Sequence, residues 1–123
     1  MEEYMRAMLL VIVGMAVFAV TIAQAAKSLK FHVPVKPPAR YDHPHPALRV
    51  IELSLDEVDR RCRKLGGRAP MGMSIKGCSL VDDGHKSCWV VIPSRESVPD
   101  STYDAIFRHE RGHCNGWAVS HPR

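Results

Sequence analysis

Little in this sequence is weighted toward one sign of charge. Seventeen lysines and arginines stand against thirteen acids, a net +4 over 123 residues, which is too mild to make nucleic acid the expected partner. The densest basic stretch, Arg60, Arg61, Arg63, Lys64 and Arg68, reads as the solvated end of a helix opened by Asp56 and Glu57, because acids first and bases last complement the helix dipole. An anionic-surface binder built on that stretch is the weaker alternative. Length is also scarce, and leaves room for one folded domain with a small core. No cysteine precedes Cys62, and the four that follow, Cys62, Cys78, Cys88 and Cys114, are even in number. That usage suits disulfides in an oxidising compartment, where two staples support a small core.

One long apolar run is present. It extends from Ala7 to Ala26 and closes on Ala23-Gln24-Ala25, the small-x-small pattern of a signal-peptidase site. Glu2 and Glu3 precede it with only Arg6, whereas Lys27 and Lys30 follow, a charge order opposite to that of a strong export signal. Residues 1–26 are therefore expected to be a signal peptide or an uncleaved N-terminal anchor, engaging the membrane during export or permanently. The expected location is periplasmic or secreted, or membrane-anchored if the run is retained. Residues 27–47 form a Pro-rich linker or arm, with five prolines between Val33 and Pro46 that forbid a regular helix. His43 and His45 lie within it and read as solvated linker residues.

The folded domain is expected over 48–123 as a small α+β unit, a β-hairpin or short sheet packed on two helices. LRVIEL from Leu48 offers a strand. Ser54-Leu55-Asp56-Glu57 is a capping-box pattern, and Leu55, Val58, Cys62 and Leu65 follow at helical spacing before Gly66-Gly67. SIKGCSLV and CWVVIP flank Asp82-Asp83-Gly84, a hairpin composition. A turn centred on Asp83 sets Cys78 opposite Cys88 and leaves Cys62 to join Cys114, although four cysteines allow three pairings. The last helix is expected from about Thr102 to Asn115, capped at Asp100 or Ser101 and stopped by Gly116.

That helix carries His109-Glu110-Arg111-Gly112-His113. At about 100° per residue the two histidines lie about 40° apart on one face, so both imidazoles reach one cation. Glu110 projects between them and to one side, able to handle the proton of an activated water without ligating the metal. Zn2+ is the expected cofactor, Glu110 the expected general base, and amide hydrolysis the reaction implied. Gly112 costs a helix about 1 kcal/mol relative to alanine, which implies a close neighbour. Trp117 follows the helix stop, to bury its ring or to cover the metal. Tyr41, Tyr103 and Arg108 are candidates for stabilising an oxyanion.

His109, Glu110, His113 and Gly116 match in register the HExxHxxG pattern of the zincin metallopeptidases, and the segment resembles their metzincin and leishmanolysin-like members. The resemblance covers about fifteen residues. It implies a turn at the glycine that returns a third histidine to the metal. Metzincins place that histidine where this chain has Val119, so His121, two residues further, is the candidate third ligand. Their methionine turn is not expected from Pro122 and Arg123, the residues that follow His121. The strand CWVVIP is expected to serve as the sheet edge beside a bound substrate.

The reading that follows is a small zinc-dependent peptidase or amide hydrolase of the bacterial envelope, with a peptide or protein as substrate and no specific nucleic acid. The alternative is a non-catalytic envelope module in which the same zinc serves structure or docking. An open coordination position distinguishes the two.

Overall fold

Capping chemistry separates the first strand from the first helix. Strand β1 covers Leu48–Leu53, and Ser54 caps helix α1, Leu55–Lys64. The serine side chain accepts from the Glu57 backbone N–H at 3.4 Å, while the Glu57 carboxylate accepts from the Ser54 backbone N–H at 3.1 Å. This is the reciprocal box expected from the sequence. Gly66 then turns out of the helix at φ +90°, a conformation open to glycine at no steric cost. Strands β2, Cys78–Val81, and β3, Cys88–Pro93, follow, with a 3-10 turn at Arg95–Ser97 and helix α2 at Asp100–Cys114. This computed structural model describes residues 34–123 except 83 and 85. The expected signal peptide or anchor at 1–26 lies outside the described residues, none of which form a helix long and apolar enough to cross a membrane.

The sheet has the order β1-β3-β2, with β1 parallel and β2 antiparallel to β3. CWVVIP is therefore the central strand, which corrects its expected place at the edge; the edges are β1 and β2. Its composition explains the position, since Cys88, Val90, Val91 and Ile92 are all buried and an apolar run without alternation needs cover on both faces. On one face α1 supplies it: Val58 and Cys62 form a core with Val91, flanked by Ile51, Leu53, Ile75 and Cys78. Cys88, Val90 and Ile92 turn to the other face, where α2 lies, with Cys88 bonded to Cys114 and the Tyr103 hydroxyl donating to Glu52.

The disulfides are Cys62–Cys78 and Cys88–Cys114, so the expected pairing is wrong. Cys78 stands opposite Val91 and Val81 opposite Cys88, a register three residues from one with Cys78 facing Cys88. An odd slip moves a side chain to the other face of a sheet. Cys78 thus points with Val91 toward α1, and Cys88 toward α2. A longer turn sets this register, held by Asp82, whose backbone N–H donates to Ser87 O at 3.0 Å and whose carboxylate accepts from Lys86 N at 2.8 Å.

Helix α2 begins earlier than expected and uses neither Asp100 nor Ser101 as its cap. Pro99 is the N-cap without a side-chain hydrogen bond, and its carbonyl accepts from the N–H groups of Thr102 and Tyr103, each at 2.9 Å. The other end follows the sequence. Gly116 at φ +95° donates to His113 O, and Trp117 N donates to Gly112 O, the two bonds that close a helix in a Schellman turn.

The Pro-rich arm lies along α2. Pro37 is buried and sits so close to Gly112 that a Cβ on the glycine would fall 2.8 Å from Pro37 Cβ. This is the close neighbour that the helical glycine implied.

Candidate metal centre

Helix α2 presents His109 and His113 one turn apart, and the tail beyond Gly116 brings back His121. The Nε2 atoms of the three imidazoles are mutually 3.2 Å apart. The tail folds back through a turn in which His121 N donates to Ala118 O at 2.9 Å. His121 adopts φ +55° to complete it, a left-handed conformation that costs an ordinary residue roughly 1–2 kcal/mol. The tail is pinned by Trp117, whose indole N–H donates to Pro122 O at 2.9 Å.

Two backbone carbonyls place the protons on two of the imidazoles. His109 Nδ1 lies 2.7 Å from Val35 O, and His113 Nδ1 lies 2.7 Å from Trp117 O. A carbonyl only accepts, so both Nδ1 atoms carry the proton and both neutral rings present a bare lone pair at Nε2. Burial holds the pKa of His109 and of His113 below the ordinary histidine value, which favours those neutral rings. Lone pairs converging at 3.2 Å repel one another unless a cation lies among them. The group formed by His109, His113 and His121 can hold a metal ion.

The imidazoles open onto a cleft of about 580 Å³ between the loop after α1, strand β2 and the C-terminal tail. Leu65, Ile75 and Val119 give it an apolar lining, and Glu110 faces it from α2. Burial pushes the Glu110 carboxyl up to about 8, against a hydrogen bond from Ser79 that works to lower it. Ser79 lies on β2 opposite Val90, hence on the α2 face of the sheet. Gly77, just before β2, gives Glu110 room: a Cβ there would lie 3.0 Å from Glu110 Oε1.

Trp117 is both core and floor. It is 3 % exposed, stacks on His113 with centroids 5.1 Å apart, and meets His109 and His121 at 5.2 and 4.8 Å.

Neither a family model, nor a curated protein, nor a solved structure matches the chain. The reading of the site therefore rests on its own chemistry.

Several sequence candidates are engaged elsewhere. The Tyr103 hydroxyl donates to Glu52, and burial with that carboxylate raises its pKa to about 12. Arg108 pairs with Asp42, and the Tyr41 carbonyl accepts from Asn115; none of the three lines the cleft. His43 and His45 stand apart from the imidazole triangle. Arg60, Arg61, Arg63 and Lys64 are exposed on the last turns of α1, as a solvated helix end requires, whereas Arg68, also exposed, lies past the helix and lines the cleft. Val35, Gly77 and Ser79 were missed. A backbone carbonyl leaves no mark in a sequence, and a glycine and a serine become informative only once β2 is known to lie beside Glu110.

Proposed function

We propose that the chain is a small zinc-dependent peptidase or amide hydrolase of the zincin type. The observation that carries the proposal is the convergence of three Nε2 atoms in a cleft that also holds a buried carboxylate one residue from a ligand. Zinc suits the donors, three imidazole nitrogens. Four ligands at 2.0–2.1 Å around tetrahedral zinc stand about 3.3 Å from one another, close to the 3.2 Å edges of this triangle. When bound, zinc supplies Lewis acidity, lowering the pKa of water toward about 7 and polarising a carbonyl.

The chain's own groups do the rest. His109 and His113 are held by carbonyls in the tautomer that frees Nε2, an outer-shell arrangement that also raises their basicity. Glu110 takes a proton from the attacking water and delivers it to the leaving nitrogen as the C–N bond breaks, giving a carboxylic acid and an amine. A nearby dication favours its ionised form, countering the burial that raises its pKa. Ser79 orients the carboxylate, and Trp117 keeps water from the underside of the imidazoles.

The open cleft supports catalysis over a purely structural role, because a solvent-side ligand can reach the metal. Two disulfides are compatible with an extracellular or periplasmic protein, and a peptide or protein of the envelope is the substrate class we assign. Glu110→Gln is expected to retain zinc and lose turnover by at least about 10²-fold, whereas His113→Ala loses both. Zinc content and cleavage of a quenched fluorescent peptide library check this. Wild-type turnover in the glutamine variant removes Glu110 as base, and no zinc in the native protein removes the function.

A further inference from the structure

The geometry points to the Pro-rich arm as a working part of the metal centre, with Asp42 as the positioning residue that ties arm docking to metal affinity. This inference rests on the metal-binding reading above, though not on catalysis. The arm supplies the only contact to His109 Nδ1 among the described hydrogen bonds, the Val35 carbonyl at 2.7 Å, from 74 residues away in sequence. His113 Nδ1 donates its equivalent bond to the Trp117 carbonyl, four residues on and just past the helix end. One ligand is thus oriented locally and the other by a segment that must be docked.

What docks the segment is on the same helix. Asp42 pairs with Arg108 and with Arg111, the latter at 3.1 Å, and its side chain is 10 % exposed. Asn115 Nδ2 donates to Tyr41 O at 2.8 Å and to His43 O at 2.7 Å. Pro37 fills the space over Gly112. These anchors at 108, 111, 112 and 115 interleave with the ligands at 109 and 113, so a shift of the arm on α2 moves Val35 off His109. Losing an outer-shell partner of a ligating histidine typically lowers metal affinity about 10–100-fold. By linkage, metal favours docking by the same factor that docking favours metal.

The test uses the full chain with both disulfides intact. Zinc affinity is measured by competition with a chromophoric chelator, and arm docking by tryptic cleavage after Arg40, with and without zinc. Asp42→Asn and Arg108→Ala approach the pair from opposite sides, and Asp42→Glu keeps the charge. We expect both disruptive variants to weaken zinc about 10–100-fold, with Asp42→Glu recovering most of the loss, and zinc to slow cleavage at Arg40 in the wild type and less in Asp42→Asn. A merely structural Asp42 would lower thermal stability without changing the zinc dependence of that cleavage. Faster cleavage at Arg40 with unchanged zinc affinity in the variants overturns the inference while leaving the proposed function intact. Failure of the wild type to bind zinc overturns both.

Discussion

Gly77 offers a way to move the proposed general base, Glu110, without touching the three imidazoles. A Cβ at this position would lie 2.9 Å from Ile106 Cγ2, 3.0 Å from Glu110 Oε1 and 3.2 Å from Glu110 Cγ. Non-bonded carbons are comfortable at about 3.5–4.0 Å, so Gly77→Ala requires roughly 0.5–1 Å of movement, shared among β2, Ile106 and Glu110. Ile106 is 2 % exposed and stiff at χ1, which directs much of the shift onto the longer glutamate. Overpacking of this size costs about 1–3 kcal/mol of stability, and displacing a reacting group by about 1 Å costs up to about 10²-fold in rate. We expect kcat/KM to fall about 10–100-fold on that basis, with zinc affinity unchanged because the three atoms nearest the new methyl group belong to Ile106 and Glu110 and not to an imidazole. Peptide hydrolysis, chelator competition and thermal unfolding on one preparation separate the three quantities. Wild-type turnover at reduced stability would refute the assignment of Glu110, and parallel loss of zinc and turnover would refute the claim that base and ligands are separable.

Non-reducing peptide mapping should find Cys62 joined to Cys78 and Cys88 to Cys114. Replacing Cys88 and Cys114 together by serine, which opens a link of sequence separation 26, should cost about 3.5 kcal/mol in urea unfolding on the chain-entropy model; a loss below 1 kcal/mol would show that the sheet and α2 hold together without it. The Arg108 guanidinium beside Asp42, with Arg111, holds the Asp42 carboxyl below its ordinary value. A carboxyl depressed in the folded state stabilises the protein above its unfolded pKa and loses that contribution as pH falls through the folded one. Metal-free wild type should therefore lose more stability than Asp42→Asn between about pH 5 and pH 2; equal losses in urea titrations would remove the ion pair from the account.

Local chemistry made much of this protein readable in advance. The box at Ser54 and Glu57, the apolar spacing of Val58 and Cys62, the glycine stop at Gly116 and the one-turn separation of His109 and His113 are all decided within a few residues of chain. Each depends on helix geometry or on a single backbone donor, and the structure repeats them. His121 was reachable as a candidate because the resemblance implies a third histidine beyond the glycine, but its approach to the triangle depends on a turn at Ala118–His121 and on the left-handed backbone of His121 itself.

The disulfide pairing, the place of β3 in the sheet and the role of the arm belong to tertiary structure. A slip of three residues in one hairpin put Cys78 and Cys88 on opposite faces of the sheet, so that each bonds a helix cysteine instead of the other, and composition around Asp82 could not set that number. Strand order follows from how much apolar surface each strand must hide on both faces, a property of the assembled layers. A backbone carbonyl is the same group at every position of the chain, and that of Val35 is the partner of His109 because the arm, with Asp42 paired to Arg108 and Arg111, lies along α2. Side-chain identity determined which residues can bind a metal; backbone placement over long sequence distances decided how those residues are held.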